Sequence, residues 1–453
     1  MSIFNKVLEI YKDQNICLDC LGRMFSLLGT HSTNEERGKS LLLSLTMENH
    51  QKYLIGEESI RNKAIENLKL LANKAKYIPA KEVLKKEGFE PLLLNEDINC
   101  FLCNNIFRNL DDYVEIAKKN LEKIEYSNFL IGTSPSGKII NREDKFKAKH
   151  NIIEAESFKT HMNREIGKKL VNDIGKPTEF TYPDLTIIYS IRFDKSSTSL
   201  IIRSLFIFGR YKKLIRGIPQ TRWFCRKCNG NGCESCEFTG KQYETSVEGL
   251  ISPEFINASQ AESSKFHGAG REDIDVRMLG TGRPFILELR NPKIRTLDLD
   301  NLLEKVNMTN KDKIEINQLS YTNKKQVIFI KENAENTKKT YKAIAESSSE
   351  LNIEEFQERF IKLINTFENK NIDQRTPHRV AHRRADKIRD KKLFKVEGKF
   401  LKPNLFEFII ESQGGTYIKE LISGDEGRTS PSFSEILEVQ LKCIELDVLN
   451  IDY

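Results

Sequence analysis

Eight of the chain's nine cysteines fall into four C-x-x-C pairs: Cys17/Cys20, Cys100/Cys103, Cys225/Cys228 and Cys233/Cys236. No other feature restricts the fold as strongly. Four thiolates that share one tetrahedral ion must converge to about 2.3 Å from it. Paired cysteines at this spacing in a reducing compartment read as metal ligands before disulfides. The first two pairs stand about eighty residues apart. A shared ion would staple the N-terminal segment to the chain near residue 100; buried free thiols are the alternative. The last two pairs form a contiguous C-x2-C-x4-C-x2-C knuckle, Cys225-Arg-Lys-Cys228-Asn-Gly-Asn-Gly-Cys233-Glu-Ser-Cys236, whose glycines permit tight turns. Structural zinc is expected at both sets, with a redox dithiol as the alternative for the second.

A chain of 453 residues exceeds one ordinary core, so several domains are expected. There is no run of eighteen apolar residues, and the start, Met-Ser-Ile-Phe-Asn-Lys, has no secretory apolar region. A cytoplasmic protein without a membrane association is expected. Net charge is +7, and most of it can be assigned to residues 375–392. That stretch holds Arg375, Arg379, Arg383, Arg384 and four more basic residues against Asp386 and Asp390. Val380, Ala381, Ala385 and Ile388 share one helical face there. The pattern predicts a basic helix able to contact a polyanion backbone, or a solvated helix face.

Residues 1–110 read as mainly helical, and 111–222 as α+β. Helical patterns are expected over 111–124 and 156–174, the latter stopped by Gly175 and Pro177. Strands are expected at 126–133, 185–194 and 200–208. The knuckle occupies 223–244, and 245–453 alternates helices and strands, among them a strand at Val327–Ile330. Nothing reads as a G-x-G-x-x-G turn between a strand and a helix, which disfavours a dinucleotide site.

Within the last segment, His267-Gly-Ala-Gly-Arg-Glu-Asp-Ile-Asp-Val-Arg-Met-Leu-Gly-Thr-Gly-Arg283 runs directly into an apolar strand. Glycine lets backbone approach a ligand closely. The same loop offers Asp273 or Asp275 as a nucleophile and arginines suited to phosphate. Most loop aspartates are caps or ion-pair partners, and that reading stands beside the catalytic one.

Gly270-Arg271-Glu272-Asp273 followed by Val276 resembles the G-R-x-D-x-x-V motif of pseudouridine synthases, the tRNA pseudouridine synthase A type in particular. Arg375-Thr-Pro-His-Arg-Val-Ala-His-Arg-Arg-Ala385, Gly415-Thr-Tyr-Ile-Lys-Glu-Leu421 and Gly424-Asp-Glu-Gly-Arg-Thr-Ser-Pro431 resemble the archaeal and eukaryotic family that modifies the tRNA T-loop. Phe208-Gly-Arg-Tyr-Lys-Lys213 with Arg216-Gly-Ile-Pro-Gln220 looks like the end of a THUMP domain, a module of tRNA-modifying enzymes. The resemblance implies an α+β protein. Its catalytic domain, over 245–453, would have a mixed or antiparallel sheet of pseudouridine-synthase type, preceded by zinc-binding and THUMP-like α+β regions.

It further implies isomerisation of uridine to pseudouridine at positions fifty-four and fifty-five of tRNA, with no cofactor for the chemistry. Asp273 would be the catalytic group, with Arg271 beside it lowering its pKa. Asp275 is the fallback. Tyr341 and Tyr417 would meet the flipped base, and Lys419 would hold phosphate or sugar, although a lone tyrosine is more often core. Arg375, Arg379, Arg383 and Arg384 would contact the RNA. The expected partner is tRNA and the expected state a monomer. A non-catalytic, zinc-containing tRNA-binding or RNA-assembly protein is the alternative.

Overall fold

The computed structural model describes residues 2–90, 99–193, 195–333 and 337–452, apart from the side chains of Asn369 and Arg383. The chain divides into two units, Met1–Arg203 and Ser204–Tyr453.

In the first unit, helices Ile3–Asp13, Leu18–Met24, Asn34–Ile55, Glu58–Asn73 and Ile78–Lys86 precede a small sheet. Thr33 and Glu36 form a reciprocal capping box at the start of the third, satisfying its first free N–H groups. Helices Leu18–Met24 and Asn34–Ile55 touch backbone to backbone. A Cβ on Gly22 would stand 1.8 Å from Asn34 O, and one on Gly38 would stand 2.3 Å from Leu18 O. Strand Phe129–Pro135 pairs in parallel with Leu185–Ile191, which pairs antiparallel with Ser197–Ile202. Alternate residues of Leu185–Ile191 are buried, as the period of two requires for a half-covered strand. Helix Phe158–Ile174 ends at Gly175 in the left-handed region, the stop expected from sequence.

In the second unit, eight described strands form one mixed sheet. Its order is Leu393–Lys402, Leu405–Gln413, Lys338–Ser347, Leu441–Asp452, Arg277–Arg290, Leu205–Lys213 and Ile314–Thr322, with Ser263–Gly268 paired to Arg277–Arg290. All pairings are antiparallel except Leu441–Asp452 with Arg277–Arg290, which is parallel at Asp447↔Arg277 and Val448↔Met278. Arg277 closes that junction, with Nη2 2.6 Å from the buried Asp447 carboxylate. Helix Ile353–Asn369 packs its aromatic face on the sheet: Phe356 stacks on Phe406 at 4.8 Å between centroids. No described helix is long and apolar enough to cross a membrane.

Three local expectations are corrected. Residues 375–392 are not a helix but a strand, Ile372–Arg375, a 3-10 turn, His378–Arg383, and a strand, Ile388–Lys391. Pro377 drives the residue before it out of the helical region, and Ile372 and Gln374 are buried alternately with exposed neighbours. Val327–Ile330 lies in a helix, Lys324–Glu332, because Val327 and Ile330 are buried three apart while Ile328 and Phe329 are exposed. The stretch 200–208 is divided between two strands, and the second, Leu205–Lys213, belongs to the large sheet of the second unit. The expected 111–222 region therefore spans the division between the units, and the Phe-Gly-Arg-Tyr-Lys-Lys strand is a floor of the second.

Candidate active site

The loop 269–275 is pinned from beneath by polar side chains, of which Arg283 and Lys213 are buried and Gln220 is half-buried. Arg283 Nη1 donates to Ala269 O at 2.9 Å, and Gln220 Nε2 to Gly270 O at 3.0 Å. Lys213, fully buried, donates from Nζ to the carbonyls of Ile218, Asp273 and Ile274 at 3.1, 3.0 and 3.2 Å. Glu272 lies in the same knot. It accepts from Arg283 Nε at 2.8 Å and from the Tyr211 hydroxyl at 2.9 Å, and stands 3.9 Å from Lys213 Nζ. A buried charge persists only when paired and hydrogen-bonded, and this arrangement pairs two cations with one carboxylate. Burial pulls the Lys213 ammonium below its ordinary range against the opposing charge of Glu272. At Gly270 the backbone has φ +73°, and a Cβ would stand 3.3 Å from Arg283 Nη1, so both conformation and space favour glycine.

With its backbone held, the loop presents Asp273 to a cleft of about 630 Å³. The Asp273 side chain is 35% exposed. Arg379 Nη1 lies 3.0 Å from its Oδ2 and 3.2 Å from its Oδ1, and Lys419 Nζ lies 3.8 Å from Oδ2. Arg379 is oriented in turn by the buried Glu420, whose Oε1 accepts from Nε at 2.5 Å. Burial works against the Arg379 charge, but Glu420 and then Asp273 outweigh it and hold the guanidinium above its ordinary pKa. Lys419 also reaches Asp275 at 2.6 Å. Burial would raise the Asp275 carboxyl, yet the Lys419 hydrogen bond and charge prevail and lower it. Asp273 lines the cleft; Asp275 is engaged by Lys419 outside that lining.

Opposite polar groups sit apolar walls. Val276, Val380, Ile418, Leu446 and Val448 contribute surface, and Tyr341 faces the same space from the sheet, where its register partner is Val448. Burial pushes the Tyr341 hydroxyl up to about 12, with Arg283 opposing, so it stays neutral. Tyr417 caps helix Ile418–Ser423. Its backbone is held by Gln374, which accepts from Tyr417 N at 2.8 Å and donates to Tyr417 O at 3.0 Å. Its hydroxyl accepts from Arg384 Nη1 at 2.7 Å. Such a cleft can seat a planar heterocycle against apolar side chains, with the Asp273 side chain at its edge and cations for phosphate.

Seven residues expected from sequence meet here: Asp273, Arg271, Tyr341, Tyr417, Lys419, Arg379 and Arg384. Arg375 does not line the cleft, because Asp386 engages it at 2.7 Å. The Arg383 side chain lies outside the described residues. Arg379, expected on RNA backbone, is ion-paired to Asp273, and Arg271 lines the same cleft. Lys213, Gln220, Glu272, Arg283 and Glu420 were not expected at the site. Lys213 and Gln220 lie in the Tyr-Lys-Lys and Ile-Pro-Gln stretches, which the sequence placed in another domain, whereas Glu272, Arg283 and Glu420 lie inside the motif segments themselves, where nothing local marks them as supports.

The cysteines form two compact groups among the described residues, Cys17, Cys20, Cys100 and Cys103 in the first unit and Cys225, Cys228, Cys233 and Cys236 in the second. A tetrahedron with bonds of about 2.3 Å has edges of about 3.8 Å. Cys17 and Cys103 sulfurs stand 3.6 Å apart, and the knuckle shows 3.9, 3.8 and 3.7 Å. Both donor sets thus fit one ion. In the first, the buried Arg23 guanidinium lies 3.7 Å from Cys20 Sγ and supplies compensating charge.

Comparison with known proteins follows the same division. Residues 206–452 match the family model "Pus10, C-terminal", and residues 113–190 match "Pus10 THUMP domain, archaeal". A protein of Methanocaldococcus jannaschii named tRNA pseudouridine synthase Pus10 is 42% identical over 98% of this chain and 93% of its own length. The protein of the same name from Methanothrix thermoacetophila is 37% identical over 96% of this chain and 91% of its own. That of Methanopyrus kandleri is 36% identical over 99% and 98%.

Proposed function

The chain belongs to the Pus10 family of tRNA pseudouridine synthases, and from that premise we propose that it isomerises uridine to pseudouridine at positions fifty-four and fifty-five of the tRNA T-loop. Asp273 is the catalytic group. The observation that supports this reading is its carboxylate, partly exposed to a cleft and clamped by Arg379 and Lys419 above a loop fixed from below.

The target base leaves its stack at a cost of roughly a few kcal/mol and enters the cleft. Tyr341 and the apolar wall receive its face, while Tyr417, Arg384 and Lys419 hold the sugar and phosphates. Asp273 acts at the ribose carbon as the bond to the uracil nitrogen breaks. The uracil rotates within the cleft, a carbon–carbon bond forms, the proton on that ring carbon leaves to solvent, and the ring nitrogen freed from the ribose takes up one proton in exchange. Atoms are conserved between uridine and product, so no redox partner enters. Zinc, when bound by each cysteine group, supplies structural cross-linking alone.

Asp273→Asn tests the assignment. Pseudouridine mapping on tRNA transcripts is expected to show no product while tRNA affinity stays within a factor of two. Full activity in that variant would remove Asp273 from the mechanism. A wild-type protein that binds tRNA tightly and forms no product would favour the binding-protein reading.

A further inference from the structure

The cysteine knuckle of the second unit displays side chains that neither its fold nor a metal requires. We propose that residues 222–242 form an RNA-gripping finger, in which Phe224 and Phe238 stack unpaired nucleotides of the substrate and Arg226 and Lys227 meet the adjoining phosphates. The proposal rests on the substrate being RNA.

Three observations carry it. The first is exposure: Phe224 is 66% and Phe238 74% exposed, and both sit in the loop that the four cysteines tie together. A ring held in water on a rigid platform gives up little conformational freedom when a base stacks on it. The platform is rigid here. Cys225 N donates to Gly240 O at 2.8 Å, Gln242 N donates to Trp223 O at 2.9 Å, and Phe224 bridges Lys241. The Phe224 ring also lies over Gly230, where a Cβ would come within 2.9 Å of it.

The second is charge. Arg222, Arg226, Lys227 and Lys241 are all exposed, against Glu234 and Glu237 in the same stretch. Zinc with four thiolates would add a net charge of about −2. Bulk attraction for RNA is then weak, and binding must come from stacking with cations placed beside each ring. Alternating rings and charges of this kind do not form the continuous apolar patch that a protein partner would cover.

The third is position. Val247 N donates to Pro219 O at 3.0 Å and Glu248 N to Gln220 O at 2.9 Å, closing the base of the finger. Gln220 lines the catalytic cleft and holds Gly270 O. The finger therefore leaves the fold at the cleft wall, where RNA flanking a flipped nucleotide would pass.

The chain's single tryptophan, Trp223, sits at the base of the finger with Tyr243 at 5.6 Å, and it reports on this element directly. Titrating an unmodified tRNA transcript into the full-length, zinc-loaded protein should change Trp223 emission. The Phe224→Ala/Phe238→Ala variant should bind that transcript about tenfold or more weakly, since each base–aromatic stack lost is worth that order. Its KM should rise in proportion with kcat at saturating tRNA retained, and Phe224→Tyr/Phe238→Tyr should restore affinity. Zinc content is measured in parallel; if the double variant loses metal, Phe238→Ala alone is read, with a several-fold loss of affinity expected. Unchanged tRNA affinity and KM at normal zinc content overturn the proposal. A wild-type protein that binds through the finger but forms no pseudouridine would leave it standing and sink the catalytic reading instead.

Discussion

Replacing Arg379 by Met separates the positioning of Asp273 from the stability of the fold. Arg379 Nη1 stands 3.0 Å from Asp273, and Nε stands 2.5 Å from Glu420, which is 4% exposed. At 3.0 Å and an effective dielectric near 20, one such contact is worth up to about 5 kcal/mol. The arginine side chain is 37% exposed, so solvent screening reduces this, and the loss of stability should be about 1–3 kcal/mol. Most of it comes from leaving the Glu420 carboxylate buried and unpaired. Adding Glu420→Gln should therefore recover much of the melting temperature. It should not recover turnover, because Asp273 would keep only the more distant Lys419, at 3.8 Å, and still lack its nearer cation. Loss of one preorganised electrostatic partner corresponds to a fall of roughly 10²-fold or more in kcat. Thermal melts and single-turnover pseudouridine formation are measured on the wild type, the single variant and the double variant. If the double variant regains kcat with stability, Arg379 acts through the fold and the positioning argument is wrong. If Arg379→Met turns over at the wild-type rate, the ion pair has no part in catalysis.

Other expectations follow from the same geometry. Lys213→Met removes the donor shared by three carbonyls, so both melting temperature and kcat should fall, by several degrees and more than tenfold, in melts and turnover assays. Cys100→Ser should release zinc and destabilise the first unit strongly, because that cluster is buried in its core; Cys233→Ser should release zinc at little cost in global stability, as read by metal analysis and differential melting. For the buried Asp447, burial would raise the carboxyl but Arg277 and Arg216 prevail, and its pKa is lowered. A depressed carboxylate contributes stability that is full above its unfolded pKa of about 4 and is lost as pH falls through the folded value. Asp447→Asn should therefore lower stability at pH 7 and flatten the acid limb of a stability–pH profile, and an unaltered limb would show that the pair contributes nothing.

Sequence by itself determined what is local or contiguous. The knuckle was legible because its four ligands lie within twelve residues, Cys225 to Cys236, too few for any other arrangement of the chain to compete. The helix Phe158–Ile174 was legible because its stop is written in Gly175 and Pro177. The candidate catalytic loop was legible as a motif, Gly270-Arg271-Glu272-Asp273, together with the segments that accompany it. Tertiary structure decided the rest. Asp273 and Arg379 are 106 positions apart, and nothing in their neighbours says that a strand-and-turn segment will carry one to the other. The same basic stretch fits a helical face and an extended strand, and the choice came from Pro377 and from pairing with neighbouring strands. Leu205–Lys213 reads as a strand in either unit; only its register with Arg277–Arg290 and Ile314–Thr322 placed Tyr211 and Lys213 beneath the loop. Periodicity reports which face a residue takes, but the partner on that face is fixed by long-range pairing and packing, which a linear pattern does not encode.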